Sequence, residues 1–377
     1  MAKIMFYPVG NADCTLIQFS DDRLMLIDYC HRYIENEDED KKINLQEILK
    51  QTLREIGRNS IDVVAFTHAD ADHVDKAEEL FWLDHAPKYQ DDERIKIGEL
   101  WVPACFITEE NLEDTARVIR QEARHRLKNI KGIRVFGKSD LLNDWIKDNV
   151  NNSFACQDYI CTAGKLESNF VTRSSGNAEI FIHSPFKYHV EEEDRNNASL
   201  VMHITFFEQN NKIKLFLSGD IGYEALENIV KITEEKDNSE RLYWNIFHIP
   251  HHCSYNSLAE EKGRTRTEPS KFINSLYKDY AAEKCIIVSP SMPIPSQDTD
   301  QPPHFQAKAF YKECANDKSG SFLVTMEHPK KEKPEPIVID VISDGFNIKG
   351  ASLSSKSSSK LTEPKKVSEI KGTGRFA

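Results

Sequence analysis

The sequence predicts an α/β (α+β) fold, and three observations carry that prediction. Short apolar runs joined by tight turns open the chain, and later runs alternate with helical patterns. Three of the later runs end in histidine or carboxylate residues, around 67–73, 218–220 and 251–254. Strand C-terminal ends are where sites collect in layered α/β folds. At 377 residues, 39% hydrophobic and 29% charged, the chain has enough apolar material for a large soluble core.

Residues 3–9 read as a strand, Gly10-Asn11-Ala12-Asp13 as a turn, and 14–19 as an alternating second strand. Asp21-Asp22-Arg23 turns the chain into a third strand over 24–28. Consecutive strands at the start suggest a sheet edge, with Asp13 and Asp28 as turn or strand-end residues. Residues 35–40 read as a solvated acidic loop. Asn44 and Glu47 then make a capping-box-like start to a helix over 45–56, which Gly57 ends. Its apolar positions 45, 48, 49, 53 and 56 form one stripe that packs on a sheet.

The stretch Thr67-His68-Ala69-Asp70-Ala71-Asp72-His73 is the most demanding in the chain. It follows a buried strand over 61–66 and precedes an amphipathic pattern that predicts a helix over 73–83. An ordinary turn here would carry Gly, Ser, Asn or one capping Asp. Because His68 and His73 are five residues apart, a continuous helix would not place them on one face. The loop must wrap around something, and imidazole mixed with carboxylate suits Zn²⁺ or Mn²⁺ better than Ca²⁺ or Mg²⁺. The competing reading is a solvated polar loop.

A strand over 97–103 and a helix over 109–128 follow. Between 117 and 138 the chain carries Arg117, Arg120, Arg124, Arg126, Lys128, Lys131, Arg134 and Lys138 against a single Glu122. That cluster reads either as a solvated helix face or as a site for polyphosphate or nucleic-acid backbone. Residues 139–175 read as helix, then polar loop. Beyond a strand over 179–183, a hairpin pairs 200–207 with 213–217 and ends in Ser218-Gly219-Asp220, with a helix opening after it. The strand over 245–250 ends in His251-His252-Cys253-Ser254, alone a plausible satisfied core pair, but with 67–73 and Asp220 the completion of a metal site. A strand over 284–289, a Pro-rich loop over 290–303, a helix over 304–315 and a final hairpin of 321–326 with 337–342 complete the pattern.

Several function classes are disfavoured. The eight cysteines form no CxxC pair, as expected of reduced thiols rather than a disulfide framework. A net charge of -12 argues against a surface that grips nucleic acid throughout, though not against a local basic patch. No run of about 18 apolar residues occurs and no leader pattern opens the chain, so a cytoplasmic protein without a membrane contact is expected.

Four segments together resemble the metallo-β-lactamase fold: Val9-Gly10-Asn11-Ala12-Asp13-Cys14 with Leu26-Ile27-Asp28; residues 67–73; Asn197-Ala198-Ser199-Leu200 with Leu217-Ser218-Gly219-Asp220; and Ile249-Pro250-His251-His252-Cys253-Ser254. Within that superfamily the chain looks most like the ComEC-like subgroup of hydrolase domains. It departs from the broader superfamily in Asp70, where histidine is common, and from the subgroup in Cys253, where glycine is usual. The resemblance implies an αββα sandwich of two mixed sheets with helices outside, spanning 1–349, with a helical, partly basic insertion at about 84–175. A Ser/Lys-rich tail at 350–377 is expected to be disordered. It also implies two divalent ions, Zn²⁺ or Mn²⁺ with Mg²⁺ as a third candidate. One would be held by His68, Asp70 and a bridging Asp220, the other by Asp72, His73, Asp220 and one of His251 or His252. Asp72, His252 and Asp13 are the implied catalytic residues, and Asn197, Arg120 and Arg124 the expected substrate contacts. The implied reaction is hydrolysis of a phosphodiester in DNA, RNA or a nucleotide. Alternatives are hydrolysis of a small cyclic nucleotide, other ester or lactone, and a non-catalytic, metal-stabilised binding or sensor module. A protein partner is conceivable but not nameable.

Overall fold

In the computed structural model, residues 1–35, 41–191 and 194–349 are described. Most of the acidic loop at 35–40 and the whole 350–377 tail lie outside them.

Two mixed sheets account for most of the strands. The first has nine, in the order Gly345–Ile348, Ile337–Ile342, Lys3–Phe6, Thr15–Gln18, Leu24–Ile27, Ser60–Ala65, Lys96–Pro103, Ile133–Phe136, Ile160–Cys161. Pairing is antiparallel as far as Leu24–Ile27 and parallel from there on. The second has seven, in the order Ser321–Val324, Ala281–Ser289, Trp244–His248, Asn211–Leu217, Val201–Glu208, Ala178–Ser184, Lys165–Glu167. Its first four strands run parallel and the rest antiparallel. Parallel strands need long crossovers, so helices sit beside those halves.

Three apolar clusters define the layers. One joins Ile4, Phe6, Met25, Val63 and Trp101 of the first sheet to Ile180, Met202, Ile204, Leu215 and Ile246 of the second, so the sheets pack face to face. A second fills the outer face of the first sheet, where the helix Leu45–Glu55 buries Leu45, Leu49 and Leu53. Each such leucine contributes about 1.5–3 kcal/mol on burial. The third packs the helices Tyr223–Glu235, Lys271–Lys278 and Phe305–Asp317 on the second sheet. The result is the αββα sandwich the sequence implied. Among the described residues, no helix is long and apolar enough to cross a membrane.

Five details differ from expectation. The N-terminal strands lie inside the first sheet, because the C-terminal strands Ile337–Ile342 and Gly345–Ile348 add outside them. The final hairpin does not form: Ser321–Val324 pairs parallel to Ala281–Ser289, whereas Ile337–Ile342 joins Lys3–Phe6 in the other sheet. The helix between Ala281–Ser289 and Ser321–Val324 makes a crossover unit, which demands parallel pairing. The helix over 73–83 breaks into Ala71–Val74 and Ala77–Leu80, with Lys76 left-handed at φ 59°. There the carbonyls of His73 and Asp75 accept from the amides of Tyr29 and His31 instead of continuing a helix. The 109–128 helix begins at Asp114, after a separate turn Cys105–Thr108. The 84–175 segment, expected as a helical insertion, supplies three strands to the first sheet and one to the second.

Candidate metal centre

Asp13, Asp28, 67–73, Asp220 and 248–252 meet where the parallel strands of both sheets end. Asp28, just past Leu24–Ile27 with φ 56°, is the anchor. Its carboxylate accepts from the Thr67 amide (2.7 Å), the Thr67 hydroxyl (2.7 Å) and His73 Nδ1 (2.7 Å). With the Nδ1 proton engaged there, His73 turns Nε2 inward. The Thr67 oxygen in turn lies 3.1 Å from His68 Nδ1, which points His68 Nε2 inward too. His252 is set the same way, its Nδ1 donating to the Pro290 carbonyl at 2.9 Å.

Three consecutive non-glycine residues, His251, His252 and Cys253, adopt φ of 52°, 50° and 67°. Left-handed conformations at such residues cost about 1–3 kcal/mol each and cluster at functional sites. The turn aims the His251 amide at Asp220 Oδ1 (3.0 Å) and leaves the His251 ring partly exposed. Of the two histidines, His252 faces the cluster. Gly219 is required by space: its φ is 55°, and a Cβ would lie 3.0 Å from Ser199 Cβ and 3.2 Å from Thr67 Cβ.

His73 Nε2 lies 3.5 Å from Asp13 Oδ2 and 3.4 Å from Asp220 Oδ1. His252 Nε2 lies 2.8 Å from Asp72 Oδ2 and 3.5 Å from Asp220 Oδ2. Two ligand sets emerge, Asp13 with His73, Asp220 and His252, and His68 with Asp72 and His73, their donor atoms lying within 4.8 Å of one another in each. Asp70 falls in neither, its Oδ2 being 3.8 Å from His68 Nε2.

Burial and the facing charges set the electrostatics of the cluster. Burial opposes charging of His73, yet Asp220 and Asp28 hold its pKa well above the ordinary value. Burial likewise opposes charge on His252, but Asp220, Asp72 and Asp13 bring it up to about 9. Against the same burial, His252 and His73 hold Asp72 and Asp220 well below the usual carboxylate range. His68 is pushed down by burial and by His73. Both Asp13 oxygens and the Nε2 atoms of His68 and His73 are buried without a well-formed hydrogen bond. Inward imidazole nitrogens, buried carboxylates and unpartnered acceptors together fit a divalent metal with mixed N/O ligands.

The three expected substrate contacts go elsewhere. Asn197 accepts from the Gly222 amide (3.0 Å) and donates to Asp194 (2.7 Å), tying the loop before Val201–Glu208 to the helix after Asp220. Arg120 donates to the Glu109 carbonyl (2.7 Å) and also to that of Glu110, and Arg124 to that of Ile107 (2.6 Å) and to Glu110 (2.6 Å). These guanidiniums turn to a neighbouring turn because its carbonyls have no helix to bond within.

Three residues near the centre were not singled out. His248 sets Nε2 2.9 Å from Asp13 Oδ1, outside hydrogen-bond alignment, with its ring stacked on Phe6; its position at a strand's end was the available signal. Asp28 reads in the sequence as a turn or strand-end residue of one resembling segment, with no role of its own. Arg195, 3.4 Å from Asp70, carried no local signal.

No protein-family model matches the sequence, and no curated protein does. Solved structures do resemble the fold. They include unliganded yeast PDE1, 11% identical over 86% of this chain and 97% of that one, with a TM-score of 0.44. The metallo-β-lactamase GOB-18 from Elizabethkingia meningoseptica is 12% identical over 84% and 89%, with a TM-score of 0.32. A diphosphatase from the PhnP family is 11% identical over 77% and 86%, again at 0.32. At such identities and scores these likenesses transfer no activity.

Proposed function

We propose that the protein is a dinuclear metal-dependent hydrolase of phosphodiesters in DNA, RNA or a nucleotide. The observation that carries this reading is the convergence of Asp13, His68, Asp72, His73, Asp220 and His252, with inward atoms of Asp13, His68 and His73 unpartnered. Asp13, His73, Asp220 and His252 would hold one ion. His73 has a single inward nitrogen, so the other would rest on His68 and Asp72, with Asp70 and Asp220 as further donors. Zn²⁺ and Mn²⁺ suit these donors, with Mg²⁺ the third candidate. Bound ions of this kind activate water and share charge on both the attacking and leaving oxygens of an in-line displacement.

The chain's own residues supply the rest. Asp72, its side chain 28% exposed and bonded to His252, stands where the cluster opens to solvent and would accept a hydrogen bond that orients the attacking water. Asp13, backed by His248, orients from the buried side. Asp28 and the Pro290 carbonyl hold the imidazoles in register. Eight free cysteines, all but one buried, suit a cytoplasmic setting.

A second reading, hydrolysis of a small nucleotide diester rather than a long polymer, is favoured by the inward turn of Arg120 and Arg124. The test is metal content of the purified protein with hydrolysis of bis(p-nitrophenyl) phosphate and of single- and double-stranded DNA, wild type against Asp72→Ala. Near two equivalents of metal, with DNA cleavage lost in the variant, supports the first reading. Turnover of the small diester alone supports the second, and a protein that takes up no metal overturns both.

A further inference from the structure

We infer that Arg195 grips the non-bridging oxygens of the substrate's phosphoryl group, and that Glu109 holds it in position to do so. This rests on the phosphodiesterase reading above. The charge count motivates it. Asp13, Asp28, Asp70, Asp72 and Asp220 bring five carboxylates to the centre, more than enough to neutralise two divalent ions, so little net attraction remains for an anionic substrate. Arg195 is the guanidinium at this edge, 36% exposed, with Nη1 3.4 Å from Asp70 Oδ1; Asp70 Oδ2 is in turn 3.8 Å from His68 Nε2.

Its orientation is built in. Nε donates to Glu109 Oε1 (2.8 Å) and Oε2 (3.1 Å), and Nη2 also donates to Oε1. That carboxylate grips one edge of the planar group, and the Nη1 end turns toward the metal centre. A guanidinium has five N–H groups, so donors on both terminal nitrogens remain for two phosphate oxygens. Glu109 is itself buried, on the turn whose carbonyls accept from Arg120 and Arg124. The basic helix Asp114–Lys128 therefore acts at second hand: it braces the turn, the turn places Glu109, and Glu109 aims Arg195. On this account Arg120 and Arg124 are positioning residues.

The rival is that Arg195 only pins Asp70. The deciding experiment uses the full-length, metal-loaded protein and compares Arg195→Ala, Arg195→Lys and Glu109→Gln. Each is read for KM and kcat on bis(p-nitrophenyl) phosphate, for direct binding of inorganic phosphate, and for metal content. Arg195→Ala should raise KM and weaken phosphate binding by about tenfold or more, with a smaller change in kcat and unchanged metal content. Lysine, a charge without the fork, should recover part of the loss, and Glu109→Gln should fall between. Should Arg195→Ala fail to fold for want of a partner to Glu109, the double variant with Glu109→Gln carries the same reading. Unmoved KM and phosphate affinity overturn the inference, as does loss of metal from Arg195→Ala. If the wild type takes up metal but hydrolyses no diester, the proposed activity fails by itself. Phosphate binding then still decides for Arg195, weaker in the alanine variant or not.

Discussion

Two buried polar clusters of this protein look alike in composition and differ in satisfaction. In the helix Asp114–Lys128, Glu122 is fully buried beside Arg126, which bonds it at 2.6 Å, while His85 reaches its other oxygen at 2.9 Å. Opposite charges there find each other. At the strand ends, carboxylates face imidazoles, and buried atoms of Asp13, His68 and His73 are left without a hydrogen-bond partner. Burying ionisable groups is costly unless they are matched. The first cluster therefore explains itself as structure, whereas the second calls for cations. Richness in charged residues, which drew attention to Arg120 and Arg124, does not separate the two cases; the partners do.

Substitutions can break or sharpen that contrast. The largest effect is expected at His252, where replacement by alanine should lower metal content and reduce diester hydrolysis by more than about 100-fold while the fold persists. Metal analysis and circular dichroism check both halves. Asp28→Asn removes an acceptor that sets Thr67 and His73, and should weaken metal binding by about 10–100-fold, read by competition with a chelator of known affinity. Glu122→Ala should do the opposite, sparing metal content while costing about 3–5 kcal/mol in urea unfolding, because Arg126 is left buried without its carboxylate.

That last loss should depend on pH in a defined direction. Burial alone would raise the Glu122 carboxyl, but the His85 hydrogen bond and the Arg126 charge bring it down to about 2. A folded-state value below the unfolded one means stabilisation present at neutral pH and lost as the pH falls toward about 2. The gap between wild type and Glu122→Ala should therefore narrow between pH 7 and pH 3, and a constant gap would refute the assignment. The smallest effect belongs to Asn197→Ala, which removes an acceptor from the Gly222 amide; about 1 kcal/mol, or a few degrees in Tm, is expected.

Much of this was legible in local pattern. Strands near 15–18, 60–65, 96–103 and 211–217 and the helix at 45–55 follow from apolar periodicity, which is a short-range property. The concentration of His68, Asp70, Asp72 and His73 needed no partner to be noticed. Asp28 was harder, because one acid at a strand end is indistinguishable from a turn residue until Thr67 and His73 are seen to share its carboxylate. Arg195 offered still less, one arginine in an acidic stretch, 125 positions from Asp70.

By itself, then, the sequence determined the layered α/β architecture and the residues whose chemistry demands explanation, since periodicity, turn residues and ligand types are encoded within a few positions. Only the tertiary structure decided which residues meet. His252 and Asp72 stand 180 positions apart, and their contact depends on two sheets packing face to face. The same packing chose His252 over His251, drew in Asp13 and His248, turned Arg120 and Arg124 inward, and sent the last strands to the first sheet. Each of those outcomes is a competition between burial and pairing settled across the whole core, and no local pattern records it.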